Sequence, residues 1–381
     1  GSIYAVPEGE VVLPHEPLLR IEGNIIECQL LETALLAVMN FSTLIATKAA
    51  RIKAAAGADT VLEFGLRRAQ GIDGGLTASR SAYIGGCDAS SNVWAGRYYN
   101  IPIKGTHAHS WVMAFPSEEE AFEAYAKAMP NNSVFLVDTY DTLDGIAAAI
   151  LEGKKLRERG HEMLGVRLDS GDLAELSIAA REMLDTAGFP DAQVIASDSL
   201  DEYAIADLKA RGARIDVWGI GTRLVTAHDQ PALGGVYKLA AIEEGNGEWS
   251  PRIKLSETVF KVSNPGRQGV RRYYDEQNDF PMGSIIYNQF NGAPSGRFYT
   301  EEGFSISAPP GLREDELLRP VFEDGVLVYA SPSLQSTRDR ALKSWRNWSR
   351  ITNFANFPHG LDAALYEEKM QLLEDFGFDA L

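Results

Sequence analysis

Four short stretches of this 381-residue sequence combine residue types that could do chemistry. Gly105-Thr106-His107-Ala108-His109-Ser110 holds two of only six histidines. The H-x-H spacing could be a metal pair, but no third ligand at a suitable spacing accompanies it, which sets a zinc site aside. A histidine exposed on such a turn can serve as a nucleophile or a base. Arg167-Leu168-Asp169-Ser170-Gly171-Asp172 places a cation and a carboxylate at i and i+2, hence on one face of a strand end. Arg167 could clamp a planar carboxylate. Asp169 could hold a ribose hydroxyl, steady a developing positive charge or bind Mg²⁺ through water; a structural Arg–Asp pair is the plainer alternative. Phe64-Gly65-Leu66-Arg67-Arg68 offers an aromatic plane and two cations. Gly219-Ile220-Gly221-Thr222 could cradle an anion on backbone N–H groups plus a hydroxyl, or could simply be a tight turn.

The elements that must carry these groups are legible between 134 and 222. Four apolar runs, VFLVDTYD (134–141), MLGVRLDSGD (163–172), QVIASD (193–198) and IDVWGIGT (215–222), alternate with three helical stretches. The pattern predicts a parallel sheet buried on both faces. The helices are expected to open after Thr142 and after Ser170 and Asp172, residue types that cap helices. Each run ends in Asp138, Asp169, Asp198 or Gly221-Thr222, at intervals of 31, 29 and 23 residues. Parallel α/β sheets and barrels put their active sites at the C-terminal ends of the strands, so these residues are expected to meet.

Around this core the reading is coarser. Residues 27–56 read as a long helix stopped by Gly57 and, being interrupted by Glu32, Asn40, Lys48 and Arg51, as a buried core helix. VLEFGLRRAQG reads as a strand running into the arginine pair, YIGGCDASSN as a Gly-rich loop and IPIKGTHAHS as a strand with a polar turn. Residues 1–26 and everything after 225 read as short, β-rich pieces outside the barrel. The expected division is 1–26 in a smaller domain, 27–225 in the α/β barrel, and 226–381 returning to the smaller domain.

Composition narrows the function. Thirty-six basic against 53 acidic residues give a formal charge of −17, which argues against nucleic acid and anionic membrane surfaces as partners. Two cysteines exclude a disulfide scaffold and fit a reducing compartment. No uninterrupted run of about 20 apolar residues is present.

Taken in order, LPHEPLLRIEG, QLLETALL, EFGLRRAQG, GGLTASR through YIGGCDASSNVWAG, GTHAHSWVMAF, GVRLDSGDL, GIGTRLVT, LGGVYKL and KLSETVFKVSNPGR resemble the nicotinate phosphoribosyltransferase family over nearly the whole chain. The resemblance implies an irregular α/β barrel of the type II phosphoribosyltransferases with a second, smaller α/β sandwich domain. It implies formation of nicotinate mononucleotide and diphosphate from nicotinate and phosphoribosyl diphosphate in NAD salvage. ATP hydrolysis would be coupled to it, Mg²⁺ or Mn²⁺ required, and the setting a cytoplasmic homodimer with sites at the interface. The family's phosphohistidine falls on His109, in GT-x-AH. Thr106 matches a nicotinate contact, Arg167 the arginine facing the pyridine's carboxyl side, and Phe64 the stacking aromatic. Asp198 matches a ribose-contacting carboxylate, and Gly221 and Thr222 the phosphate cradle. Arg67, Asp138 and Asp169 complete the set. Ser91, with Asp88 the competing position, aligns where nicotinamide-using relatives carry an acidic residue. A D-x-Y-x-x-T-type segment of the family, whose tyrosine closes the ring sandwich, has no counterpart in this sequence. The expectation is therefore a natural protein about a hundred residues longer at its N-terminus, and weak nicotinate binding by this chain. A nicotinamide phosphoribosyltransferase, and an inactive truncated barrel that binds nucleotide, are the alternatives.

Overall fold

The structure, a computed structural model, describes residues 1–256, 262–300, 303–308 and 310–377. Part of the KLSETVFKVSNPGR stretch, 257–261, lies outside them. The chain forms two compact units, residues 39–233 and residues 1–38 with 234–381. It opens with an antiparallel pair, β1 (Ser2–Ala5) and β2 (Leu19–Glu22), followed by α1 (Ile25–Ala56). The unit boundaries lie beyond the expected 26 and 225 for a packing reason. Helix α1 is unbroken, but its buried residues begin at Leu44, and Ala227 and Leu233 still pack on the core of the first unit. The expected core helix is thus buried over its second half, while Ile25, Ile26, Leu30 and Val38 are exposed. By length and composition α1 is apolar enough to cross a membrane, with a mean hydropathy of 1.5 in its most apolar window.

In the unit of residues 39–233, β3 (Thr60–Glu63) leads through the turn at Phe64-Gly65 to α2 (Gly71–Gly85). β4 (Ala89–Ser90), α3 (Val93–Tyr99), α4 (His109–Val112) and α5 (Glu118–Ala128) follow. Then come β5 (Val134–Leu136), α6 (Thr142–Glu158), β6 (Gly165–Leu168) and α7 (Leu173–Thr186). β7 (Gln193–Ala196), α8 (Glu202–Ala210), β8 (Val217–Ile220) and α9 (Thr222–Val225) close the series. The six strands β3–β8 lie in the order β4-β3-β8-β7-β6-β5, every neighbouring pair parallel.

Alternate strand residues face two cores. Val61, Phe135, Val166, Val194, Ala196 and Trp218 face the helices. Leu62, Ala89, Val134, Ile195 and Val217 form a second cluster joined by Phe64. That inner cluster draws on five of the six strands, including both edge strands β4 and β5, as a sheet curled toward a barrel requires. The expected α/β sheet and a second, smaller α/β unit are what form. Asp141, Asp172 and Asp201 cap α6, α7 and α8, each accepting two backbone N–H bonds through Oδ1. Thr142 is therefore the first helical residue of α6, not its cap. YIGGCDASSN is the end of α2 plus β4 rather than a loop, and the strand expected in IPIKGTHAHS reduces to one bridge, Ile103 with Ser90.

The other unit holds β1 and β2 with β9 (Ala241–Glu243), β10 (Trp249–Pro251), β11 (Gln268–Tyr274), β12 (Pro281–Asn288) and β13 (Arg297–Tyr299). β14 (Ser305–Ser307), β15 (Arg313–Glu316), β16 (Arg319–Glu323), β17 (Val326–Leu327), α10 (Leu334–Trp348), β18 (His359–Asp362) and α11 (Ala363–Asp375) complete it. Its largest sheet runs β14-β13-β18-β12-β11-β15; a four-stranded sheet runs β17-β16-β1-β2. At its centre the fully buried Arg272 donates to both Glu16 oxygens, at 3.1 and 2.9 Å, and lies over Trp348.

Gly145, on the first turns of α6, lets that helix sit against the carbonyl of Val137, the residue before Asp138. A Cβ there would lie 2.1 Å from the Val137 oxygen. Gly145→Ala should cost about 1–3 kcal/mol in unfolding free energy, read by chemical denaturation. An unchanged midpoint would show that the helix shifts freely.

Candidate active site

The strand order decides what meets. Reading along the C-terminal edge from β4 to β5, the strands end in Ser91, Phe64, Gly221, Ser197-Asp198, Asp169 and Asp138. Segments as distant in sequence as 64 and 221 thus become neighbours: Phe64 N–H donates to the Ile220 carbonyl at 2.7 Å.

Arg167, on β6, is the centre of the cluster. Its Nε donates to Ser197 Oγ (2.8 Å), Nη1 to Thr106 Oγ1 (2.8 Å) and Nη2 to Asp169 Oδ1 (2.8 Å). Its guanidinium carbon lies 5.6 Å from the centre of the Phe64 ring. A guanidinium has five donors, and among the described residues three are engaged, which leaves two for a ligand. Asp169 is also bonded by the Ser197 hydroxyl. Burial opposes its charge, but the Ser197 hydroxyl and the Arg167 guanidinium outweigh that effect and hold its carboxyl below the usual range.

A second knot lies beside it. The Asp138 side chain is almost wholly buried (1% exposed) and that of His109 is 40% exposed; His109 Nε2 sits 3.1 Å from Asp138 Oδ1. Asp138 Oδ2 accepts from the Asp169 N–H (2.8 Å) and the Ser170 hydroxyl (2.6 Å). A carboxylate behind a histidine fixes the orientation of its ring. The two histidines of H-x-H part company here. His107 is buried against Tyr125 and accepts from the Leu136 N–H at 3.2 Å. Burial pushes it down to about 4, with Arg167 and His109 acting in the same direction against the Ala108 carbonyl.

The remaining expected residues are placed as follows. Asp198 is exposed and has φ +113°, a strained conformation for a non-glycine residue, directly after β7. Gly221 caps α9 and Thr222 is exposed at its first position. Arg67 is exposed on the short turn 66–68, and among the described residues no hydrogen bond ties it to the cluster. Ser91 lies at the C-terminal end of β4, its N–H donating to the Glu63 carbonyl at 2.9 Å. Asp88 lies at the opposite end, bonded to Lys53 Nζ and the Val61 N–H, which separates the two competing positions.

Four participants escaped the sequence reading. Ser197, Ser170 and Glu63 have only their place beside a strand-end residue as a signal. Glu118, on α5, is buried, and Glu118 Oε1 has no hydrogen-bond partner among the described residues. Burial first, then Glu119, Asp138 and two further aspartates, push it up to about 7.

Comparison with known proteins gives this arrangement its context. Polar groups gathered on the C-terminal edge of a curled parallel sheet are the active-site arrangement of α/β-barrel enzymes. A family described as "Nicotinate phosphoribosyltransferase (NAPRTase) family" matches residues 60–251. The nicotinate phosphoribosyltransferase of Bacillus subtilis (strain 168) is 46% identical, the match covering 98% of this chain and 77% of the relative. That of Homo sapiens is 34% identical, over 88% and 72%. The crystal structure of human nicotinic acid phosphoribosyltransferase superposes with a TM-score of 0.81 at 30% identity, covering 97% of this chain and 82% of that one. The nicotinate-nucleotide pyrophosphorylase of Pyrococcus furiosus, at 24% identity and a TM-score of 0.72, shares the fold. The chain belongs to the nicotinate phosphoribosyltransferase family.

Because His107 is neutral when folded and takes up a proton near 6.5 when unfolded, it stabilises the fold fully above pH 6.5. That contribution is lost as pH falls toward about 4, a loss of up to roughly 3 kcal/mol. His107→Gln should flatten the slope of unfolding free energy between pH 4 and 6.5, and His109→Gln should leave it. Equal slopes in wild type and His107→Gln would refute the assignment.

Proposed function

We propose that the chain forms nicotinate mononucleotide and diphosphate from nicotinate and phosphoribosyl diphosphate, within NAD salvage, and couples this to ATP hydrolysis through phosphorylation of His109. The observation that carries the reading is Arg167, held by Thr106, Ser197 and Asp169 beside the Phe64 ring. The ring and the cation together suit a flat aromatic acid. Phe64 stacks on the pyridine, and the two remaining guanidinium donors and Thr106 meet its carboxylate. Asp198 holds the ribose, and the backbone and hydroxyl at Gly221-Thr222 hold a phosphate.

Transfer at the sugar demands positioning more than covalent chemistry. The C1–O bond to diphosphate breaks as the pyridine nitrogen forms its bond from the opposite face, through an oxocarbenium-like state. Asp169, kept ionised by Arg167 and Ser197, faces that developing positive charge. Among the described residues no group of three or more His, Cys, Asp or Glu side chains is placed to hold a metal. Asp169 Oδ2 and the Asp198 carboxylate are nonetheless hard oxygen donors that fit a magnesium or manganese ion bound chiefly by substrate phosphates. Bound there, the ion neutralises charge on the leaving diphosphate.

The working form in this reading is a cytoplasmic homodimer with its sites at the interface. Its support is an open groove of about 560 Å³ beside Ser91, lined by exposed Leu66, Ile72, Val93 and Trp94, an apolar surface of the kind a second copy covers. A count of only two cysteines accords with a reducing compartment.

The direct test is mononucleotide formation from nicotinate and from nicotinamide, each with and without ATP; turnover of nicotinamide alone would replace the reading with the amide-using one. His109→Ala should abolish acid-labile, base-stable phosphate incorporation from ATP and leave slow ATP-independent transfer, while His107→Gln keeps the label. Retention of label in His109→Ala would move the phosphorylation elsewhere.

Ser91→Asp should lower kcat/KM for nicotinate and narrow its lead over nicotinamide. A carboxylate about 4 Å from the substrate's own would repel it by roughly 4 kcal/mol before screening. An unchanged ratio of the two kcat/KM values would place acid selection at another residue.

A further inference from the structure

Glu63 is the last residue of β3 and is 1% exposed, a carboxylate buried between the sheet and α2 that the chemistry above does not use. Leaving an ion there costs several kcal/mol unless hydrogen bonds replace its water. Its partners are specific. Oε1 accepts from the Gly65 N–H at 2.5 Å. Oε2 accepts from the Ser79 hydroxyl at 2.8 Å and the Ser90 hydroxyl at 2.6 Å. The backbone carbonyl of the same residue accepts from the Ser91 N–H.

These partners surround the two residues that face the pyridine. Phe64 lies between Glu63 and Gly65, so the carboxylate and the N–H it holds bracket the aromatic residue on both sides. Ser91 is bracketed likewise, by Ser90 before it and by its own N–H. The network extends one step further: Ser90 Oγ accepts from the Asn92 N–H, and Asn92 donates to Ser79 and caps α3 at Ala95. Ser79, Ser90 and Asn92 are each 1% exposed. One carboxylate therefore ties together the end of β3, the turn at Gly65, α2 and the β4–α3 loop.

We propose that Glu63 is a positioning residue that sets the spacing between Phe64 and Ser91, and thereby governs affinity for the pyridine substrate without touching it. The proposal rests on the pyridine-binding reading of Phe64 and Ser91 given above. Asp198 and Gly221-Thr222, the residues read as holding phosphoribosyl diphosphate beyond the ends of β7 and β8, are not among the hydrogen-bond partners of Glu63. The signature is thus a split between two Michaelis constants. A side chain that only stabilised the barrel would move both or neither.

The test is steady-state kinetics on the full chain with Glu63→Gln and Ser90→Ala, alongside thermal melting and ATP-dependent histidine labelling. Glu63→Gln should raise KM for nicotinate tenfold or more and leave KM for phosphoribosyl diphosphate within twofold. Labelling of His109 should persist, and Ser90→Ala should shift the nicotinate KM in the same direction by less. A nicotinate KM unchanged in a folded Glu63→Gln variant, or equal rises in both constants, overturns the proposal. If Glu63→Gln does not fold, Ser90→Ala supplies the comparison: a rise confined to the nicotinate KM supports the tie, and no rise or equal rises overturn it. A wild-type chain that forms no mononucleotide overturns instead the functional reading on which the proposal stands.

Discussion

A guanidinium held at three of its nitrogens organises this site. Arg167 reaches a serine beyond β7, a threonine in the loop before α4 and an aspartate beyond its own strand, and each of these groups is fixed by something else. Ser197 also bonds Asp169. The Asp169 backbone bonds Asp138, which in turn sits against His109. A long cationic side chain would lose much of its effect to rotamer freedom if it hung from one partner. Here the freedom is removed before a substrate arrives, so the two open donors are aimed in advance. The register of β5, β6 and β7 is what brings these partners within reach.

Buried carboxylates recur through this acidic protein, and the structure treats each one differently. Asp138 is satisfied by a backbone N–H, a hydroxyl and an imidazole. Asp169 has a cation and stays ionised. Glu16, in the other unit, takes a full ion pair with Arg272. Glu63 is met by two hydroxyls and an amide. Glu118 is left short of partners and is pushed toward neutrality. The last contrast is the expected one: where donors are missing, the proton replaces them.

The two histidines show how two residues of separation decide chemistry. The turn after Thr106 sends His107 inward, under Tyr125, where its ring nitrogen satisfies the Leu136 N–H. His109 opens α4 and faces outward, backed by a carboxylate. An imidazole that must stay neutral to hold a strand N–H is poorly suited to accept a phosphoryl group; one with an exposed ring and an anionic partner is well suited.

The sequence by itself determined the parallel αβ succession from 134 to 222, because apolar runs of strand length between amphipathic helices have few other solutions. It also placed Asp138, Asp169, Asp198 and Gly221 at strand ends, since side-chain pattern and turn chemistry act over a few residues. Three features lay beyond local pattern. The strand order set β3 beside β8, and hence Phe64 beside Gly221. The depth of burial separated His107 from His109, and opposite ends of β4 separated Ser91 from Asp88. The supporting serines and Glu63 carry no signal of their own, because a serine or glutamate becomes a structural partner only when the fold brings a donor or acceptor within about 3 Å. Those are distances across the sheet, and only the tertiary structure sets them.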